Sequence, residues 1–335
     1  MTVSITTVAP ELLRVEDLAV EYLTPDGDVR VVDDVSFTIR EGECFGLAGE
    51  SGSGKSTVAM AILRLLKPPG VISGGRVLWR GEDVLDFDDA SLRAFRWREV
   101  SLVMQSAMNA LNPVITIGEQ LCDVILAHEA VTPVQALERA ASLLELVNID
   151  SGRLKSFPHE LSGGMRQRVV IAMALALSPR LMIMDEPTTA LDVVVQREIL
   201  AQISELRAKL GFAVLLVTHD LSLMLEFCTQ VGVLYAGRLA ELAPARELVT
   251  APKHPYTQAL LASIPDPRRA VVRLQGIPGI HVDLRRPPEG CRFHPRCPRA
   301  FDRCPEVRPE LTPLGPDHLA SCLLYSTPPA TTVQS

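Results

Sequence analysis

Two stretches of this chain place glycines and hydroxyls where a backbone can grip phosphate. The first, Gly49-Glu50-Ser51-Gly52-Ser53-Gly54-Lys55-Ser56-Thr57, fits the phosphate-loop pattern G-x-x-x-x-G-K-[ST]. Gly49, Gly52 and Gly54, with Ser51 between them, let the backbone turn so that its amides converge on phosphate oxygens at a helix N-terminus. In such a loop Lys55 neutralises the β- and γ-phosphates, and Ser56, followed by Thr57, offers a hydroxyl to Mg²⁺. The second stretch, Leu161-Ser162-Gly163-Gly164-Met165-Arg166-Gln167-Arg168, opens a helix predicted to run to about Leu177. A hydroxyl and two glycines at a helix start make a second anion site. One nucleotide does not need two such sites from one subunit, so the economical reading has the second cap a γ-phosphate held by a partner subunit. The plain alternatives are a chance Gly/Ser loop and a serine cap with a glycine turn; both lose ground when the two stretches occur together.

The flanking elements agree with this chemistry. Cys44–Ala48 reads as a buried strand and Thr57–Leu66 as a helix ending at Pro68-Pro69-Gly70. From Leu12 to about Leu242 short β-branched runs alternate with helical stretches, the pattern of an α/β domain. Sixteen of the 25 prolines lie after residue 240, so a boundary is predicted near 250. The expected division is an N-terminal extension over 1–11, a nucleotide-binding domain over 12–250, a small loop-rich domain over 251–326 and a frayed tail over 327–335. The longest uninterrupted apolar run, Val169–Leu177, has nine residues, against about 20 for a membrane-spanning helix. Met1–Pro10 shows no export signal, and a net charge of −7 argues against a dedicated nucleic-acid surface over the whole chain. Cys44, Cys122 and Cys228 read as small buried apolar residues. Cys291, Cys297, Cys304 and Cys322 cluster near the end, and clustered cysteines without a secretory signal more often hold metal than pair as disulfides.

Taken in order, the motifs resemble those of the ATP-binding subunits of ABC transporters. Leu161–Gln167 looks like the signature loop of that family, and Leu181-Met182-Ile183-Met184-Asp185-Glu186 like its Walker B strand. Thr188-Thr189-Ala190-Leu191-Asp192 resembles the D-loop, His219 after the strand Ala213–Thr218 the switch histidine, and Gln105 the Q-loop glutamine. The resemblance implies a P-loop ATPase fold with a helical subdomain. The physical chemistry of each position concurs. Asp185, ending an apolar strand, can hold Mg²⁺ directly or through water. Glu186 can orient or deprotonate the attacking water, and His219 can keep water, Glu186 and phosphate in register. Gln105 is expected to contact Mg²⁺ and couple to the membrane partner. Tyr22 is placed to stack on adenine, an ordinary strand tyrosine being the alternative.

Within the family, Gln105-Ser106-Ala107-Met108-Asn109-Ala110-Leu111-Asn112-Pro113 resembles the oligopeptide/dipeptide importers, although Ser106 stands where aspartate is common. Phe157-Pro158-His159-Glu160, His254-Pro255-Tyr256-Thr257 and Cys291-Arg292-Phe293-His294-Pro295-Arg296-Cys297 match that branch too. The four cysteines are spaced C-x5-C-x6-C-x17-C, unlike the C-x2-C pair of a common zinc ribbon. In that branch this region resembles one that holds a [4Fe–4S] cluster, and four thiolates suit either that or structural Zn²⁺; unligated thiols are the third possibility. Residues 268–308 carry ten arginines against four acids, which would offset an anionic centre or form a solvated, lipid-facing or RNA-contacting face.

The expectation is therefore an ATP-hydrolysing importer subunit, peripheral on the cytoplasmic face of the membrane and carrying di- or oligopeptides. Its expected partners are a second ATPase subunit, two integral-membrane permease subunits and an extracytoplasmic solute-binding protein, with no nucleic acid. Oligosaccharide or nickel-complex import is the alternative cargo. A soluble ATPase of DNA repair or translation is the contrasting class, but no heptad array separates Lys55 from Asp185 and only one cassette is present.

Overall fold

Apolar runs and amphipathic stretches alternate along the chain and build two units from interleaved segments. The structure, a computed structural model, describes residues 9–105, 110–188, 191–264 and 276–326. The first unit comprises Met1–Leu13, Thr38–Cys44 and Trp79–Val217, and the second Arg14–Phe37, Phe45–Leu78 and Thr218–Ser335.

In the first unit the strands Val100–Val103, Leu181–Asp185 and Ala213–Val217 pair in parallel, with Val103 opposite Met184 and Asp185 opposite Val217. Leu181–Asp185 and Ala213–Val217 are buried at every residue, as expected of a parallel sheet covered on both faces. The helices Ile117–His128, Pro133–Leu146 and Gly163–Leu175 pack on one another, and Leu121, Ile125, Ala136, Ala140, Val169 and Ala172 are buried. Their starts are set locally. Thr116 and Glu119 form one capping box, and Thr132 and Gln135 another, with Pro133 in the first turn. The helix Val193–Leu210 stops at Gly211, whose φ is 79°.

In the second unit, strands along Glu11–Tyr22, Val29–Arg40 and Gly70–Trp79 lie side by side, the first in the middle. Its other sheet runs from Cys44–Ala48 through Gln230–Tyr235 and Arg238–Pro244 to His318–Ala320 and Thr312–Gly315. Cys44–Ala48 pairs in parallel with Gln230–Tyr235, and the later pairings are antiparallel. Residues beyond 250 thus extend a sheet edge. They also complete the core, where the rings of Tyr235, Tyr256 and Phe293 meet at centroid distances of 4.5 to 5.3 Å. Cys44 and Cys228 are buried and Cys122 partly so. No helix among the described residues is long and apolar enough to cross a membrane.

Candidate functional site

The second unit carries the phosphate loop between Cys44–Ala48 and the helix Lys55–Ile62, which starts two residues earlier than the sequence suggests. Two glycines there are obligatory. Gly49 has φ 148° and a Cβ on it would meet the Leu234 carbonyl oxygen at 2.2 Å; Gly54 has φ 103° and would meet the Val31 oxygen at 2.8 Å. Gly54 caps the helix with no side-chain hydrogen bond, so the positive end of the helix faces the loop where a phosphate would sit. Lys55, 5% exposed, donates Nζ to the carbonyls of Gly49 (2.8 Å) and Glu50 (2.9 Å). A buried ammonium resting on loop carbonyls fits a site whose polyanion comes from outside. Ser51, Gly52 and Ser56 are exposed and Thr57 half-buried. Tyr22, half-buried, lays its ring against Gly70, where an added Cβ would lie 3.2 Å from Cε1. His219 is exposed between Thr218, whose Oγ1 accepts from the Asp220 amide at 3.1 Å, and Asp220, which caps the helix Leu221–Phe227.

The first unit carries the carboxylates. Asp185 is 5% exposed at the end of Leu181–Asp185. Glu186 follows with φ 46°, a left-handed conformation that costs a non-glycine residue roughly 1–3 kcal/mol and is commonly kept at functional sites. Its amide donates to Val217 O at 2.8 Å, which fixes the turn. Gln105 Nε2 donates to Glu186 Oε2 at 3.0 Å, so the structure brings these two predicted residues together across 81 positions of sequence. Ser106–Asn109 lie outside the described residues, as do Thr189 and Ala190 of the predicted D-loop. Asp192 is a helix cap, its Oδ1 accepting from the amides of Val194 (3.1 Å) and Val195 (3.0 Å).

Ser162 caps Gly163–Leu175, its Oγ accepting from the Met165 amide at 3.3 Å, and no acid lies in the first turn to quench the positive end. A Cβ at Gly164 would meet Val195 Cγ1 at 3.0 Å, so the signature turn rests on the helix that Asp192 starts. Beside it Val193 and Val194 are 64% and 67% exposed.

The four cysteines lie on tight turns of the second unit. Cys291 N donates to Cys304 O at 2.8 Å, an approach that Gly290 permits, since a Cβ there would lie 2.4 Å from the same oxygen. None of the four is in a disulfide. Burial is the main cause that pushes the Cys291 thiol up to about 11, opposed by a hydrogen bond at the Phe293 backbone and aided slightly by Cys304, Cys322 and Cys297. Burial likewise raises Cys297 and Cys322. Among the described residues, however, no three His, Cys, Asp or Glu side chains are gathered so as to hold a single metal ion. The expected metal centre is corrected to that extent: the described residues do not form a metal-holding group at these cysteines, of which Cys304 and Cys322 are buried and Cys291 and Cys297 half-buried.

Several residues at the phosphate loop carried no sequence expectation of this kind. The Glu50 amide donates to the Tyr256 hydroxyl at 3.0 Å, and the Glu50 carboxylate pairs with Arg296. Asp33, 4% exposed, accepts from Arg238 (2.8 Å) and Arg292 (2.6 Å). Burial would raise its pKa, but the Arg238 hydrogen bond and the neighbouring guanidinium charges outweigh it and hold the carboxyl below its ordinary value.

Residues 32–189 match the family model described as ABC transporter, and residues 240–304 the model described as oligopeptide/dipeptide transporter, C-terminal region. Over 315 residues the chain is 44% identical to a probable peptide ABC transporter ATP-binding protein (y4tR) of Sinorhizobium fredii, covering 93% of this chain and 94% of the relative. It is 42% identical over 313 residues to the oligopeptide transport ATP-binding protein OppD of Salmonella typhimurium, with 93% of both covered. For the dipeptide transport ATP-binding protein DppD of Bacillus subtilis the figures are 41% over 317 residues, 94% and 95%. Among solved structures it resembles the dimeric post-hydrolysis state of the ATP-binding cassette MJ0796 bound to ADP and Pi. The TM-score is 0.62 at 29% identity, over 70% of this chain and 99% of that one.

Proposed function

The chain belongs to the ABC transporter family, as an ATP-binding subunit with the ATPase cassette fold, and from that premise we propose that it hydrolyses ATP to drive import of di- or oligopeptides. Its peptide cargo is supported by its likeness to relatives named as oligopeptide and dipeptide transport proteins. It works on the cytoplasmic face of the membrane with a second ATPase subunit, two permease subunits and an extracytoplasmic solute-binding protein.

The observation that carries the reading is the Gln105–Glu186 hydrogen bond beside buried Asp185. A carboxylate held at the end of a Walker B-type strand by a Q-loop-type glutamine is placed to act as a general base that responds to the membrane partner. In this reading Gly49–Gly54 amides and Lys55 take the phosphates, and Tyr22 the adenine. Ser56, Thr57, Asp185 and Gln105 serve nucleotide and Mg²⁺, which when bound screens phosphate charge. Glu186 deprotonates the attacking water and His219 keeps it in line. Ser162, Gly163 and Gly164 present the unquenched helix end to the nucleotide of the partner subunit, with Asp192 and exposed Val193 and Val194 at that head-to-tail interface. Cys291, Cys297, Cys304 and Cys322 would hold a [4Fe–4S] cluster in this scheme. It would be a structural crosslink, since hydrolysis needs no electron transfer. Residues 251–326 form the accessory domain of this scheme.

Glu186→Gln tests the assignment. Hydrolysis should fall by about 10²-fold or more, while ATP binding persists and a closed dimer accumulates. Unchanged turnover would refute the role of Glu186.

A further inference from the structure

Glu50 sits second in the phosphate loop, next to Gly49, and a carboxylate there is an awkward neighbour for a polyanion. Its carbonyl and that of Gly49 both receive Lys55 Nζ, so wherever Glu50 is held the lysine platform is held too. Three groups from far downstream converge on this residue. The Tyr256 hydroxyl accepts its amide hydrogen at 3.0 Å. Arg296 grips the carboxylate as a fork, Nη1 to Oε2 at 2.8 Å and Nη2 to Oε1 at 3.0 Å, while His281 Nδ1 stands 3.2 Å from Oε2.

Arg296 is itself immobilised. Its side chain is 4% exposed, Nε donates to Pro278 O at 2.9 Å and Nη2 to Ile277 O at 3.3 Å. The guanidinium lies 5.9 Å from the centre of the Tyr235 ring. Gly279 makes room for it, since a Cβ there would stand 2.8 Å from Arg296 Cγ. A bidentate guanidinium–carboxylate pair with one side chain almost fully buried sets direction as well as charge. The next residue is Cys297.

We propose that Arg296 is a positioning residue for ATP: by neutralising and fixing Glu50 it presets the phosphate loop, which makes the cysteine-bearing segment a working part of the nucleotide site. The proposal rests on the ATP site argued above. A preset loop pays less ordering cost when the phosphates arrive, and a paired Glu50 does not repel them. Removing the arginine alone should weaken binding through both effects and leave the chemical step, performed elsewhere, nearly intact.

The experiment compares the full chain with Arg296→Gln, Arg296→Lys and the double variant Glu50→Gln/Arg296→Gln. It measures equilibrium MgATP binding, KM and kcat for hydrolysis, and the unfolding midpoint. For Arg296→Gln, KM and Kd should rise roughly three- to tenfold, with kcat within about twofold. Arg296→Lys should recover part of the loss, because an ammonium keeps the charge without the fork. The double variant should bind ATP better than Arg296→Gln, because the uncompensated carboxylate is gone. ATP affinity of Arg296→Gln and Arg296→Lys both equal to wild type would overturn the proposal. So would a loss in Arg296→Gln that the double variant does not relieve, or one that tracks the unfolding midpoint with kcat falling alongside. Failure of the wild-type chain to bind MgATP is a separate result that removes the ATP site itself, and the proposal with it.

Discussion

Acidification should lower the unfolding stability of the fold that buries His254 at the start of the helix Pro255–Ala262, and the size of the effect follows from that histidine. This imidazole is 3% exposed. Its Nδ1 accepts the Tyr256 amide at 3.0 Å, which caps the helix, and burial pulls its pKa down to about 4. A protonated Nδ1 could not accept that bond. In the unfolded chain histidine titrates near 6.5, so between pH 6.5 and 4 the unfolded state takes up the proton and stability falls as pH falls. The gap between the two values amounts to at most about 3.4 kcal/mol; about 1.4 kcal/mol of it is lost by pH 5.5 and about 2.5 kcal/mol by pH 4.5. The Glu241 carboxylate accepts the backbone amide of His254 at 2.9 Å, a bond that any His254 variant keeps. Urea unfolding of wild type and His254→Asn from pH 7.5 to 4.5 therefore isolates the ring, since asparagine can cap the helix but does not titrate. The stability difference should move by about 2.5 kcal/mol in favour of the variant across that range. Two parallel pH curves would refute the reasoning.

Gly49→Ala should abolish ATP binding, read by titration with a fluorescent nucleotide, because the added methyl group falls 2.2 Å from Leu234 O at φ 148°. Asp33→Asn leaves Arg292, 7% exposed, facing a neutral partner and should lower unfolding stability by about 3 kcal/mol, seen as a fall in urea midpoint. Asp192→Ala removes the acceptor of two helix amides and should cost about 1 kcal/mol by the same assay. Anaerobically purified protein should contain iron and acid-labile sulfide, with visible absorbance lost on Cys304→Ser; protein devoid of both would leave only thiols.

The α/β alternation and the motif strands were legible because they follow from local pattern: uninterrupted apolar runs at Leu181–Asp185 and Ala213–Val217, and caps written into Thr116-x-x-Glu119 and Thr132-Pro133. Gly49 and Gly54 were legible because a loop that must turn with positive φ admits little else. The Gln105–Glu186 contact could be anticipated only through the order of motifs, since nothing local to either residue points to the other.

Glu50 and Arg296, 246 positions apart, lay beyond that kind of reading. Each alone resembles a solvated surface charge, and the run of arginines over 268–308 looks like a basic face to be neutralised by a cluster or by solvent. In the structure at least Arg292 and Arg296 are consumed by carboxylates that belong to the N-terminal half, Asp33 and Glu50. Local charge balance along the sequence therefore misstates what those arginines are for. Their counter-charges come from the phosphate loop and from the strand Val29–Arg40, and the tertiary pairing, with Tyr256 and Phe293 buried beneath it, gives the proline-rich segment a reason to pack. A segment rich in proline, with few regular backbone hydrogen bonds of its own, gains its order from such long-range side-chain anchors. Each anchor named here ends within two residues of a cysteine: Arg292 follows Cys291 and Arg296 precedes Cys297. Loosening the thiol turns would therefore disturb both pairs: through Glu50 it would be read in ATP affinity, and through Asp33 in overall stability.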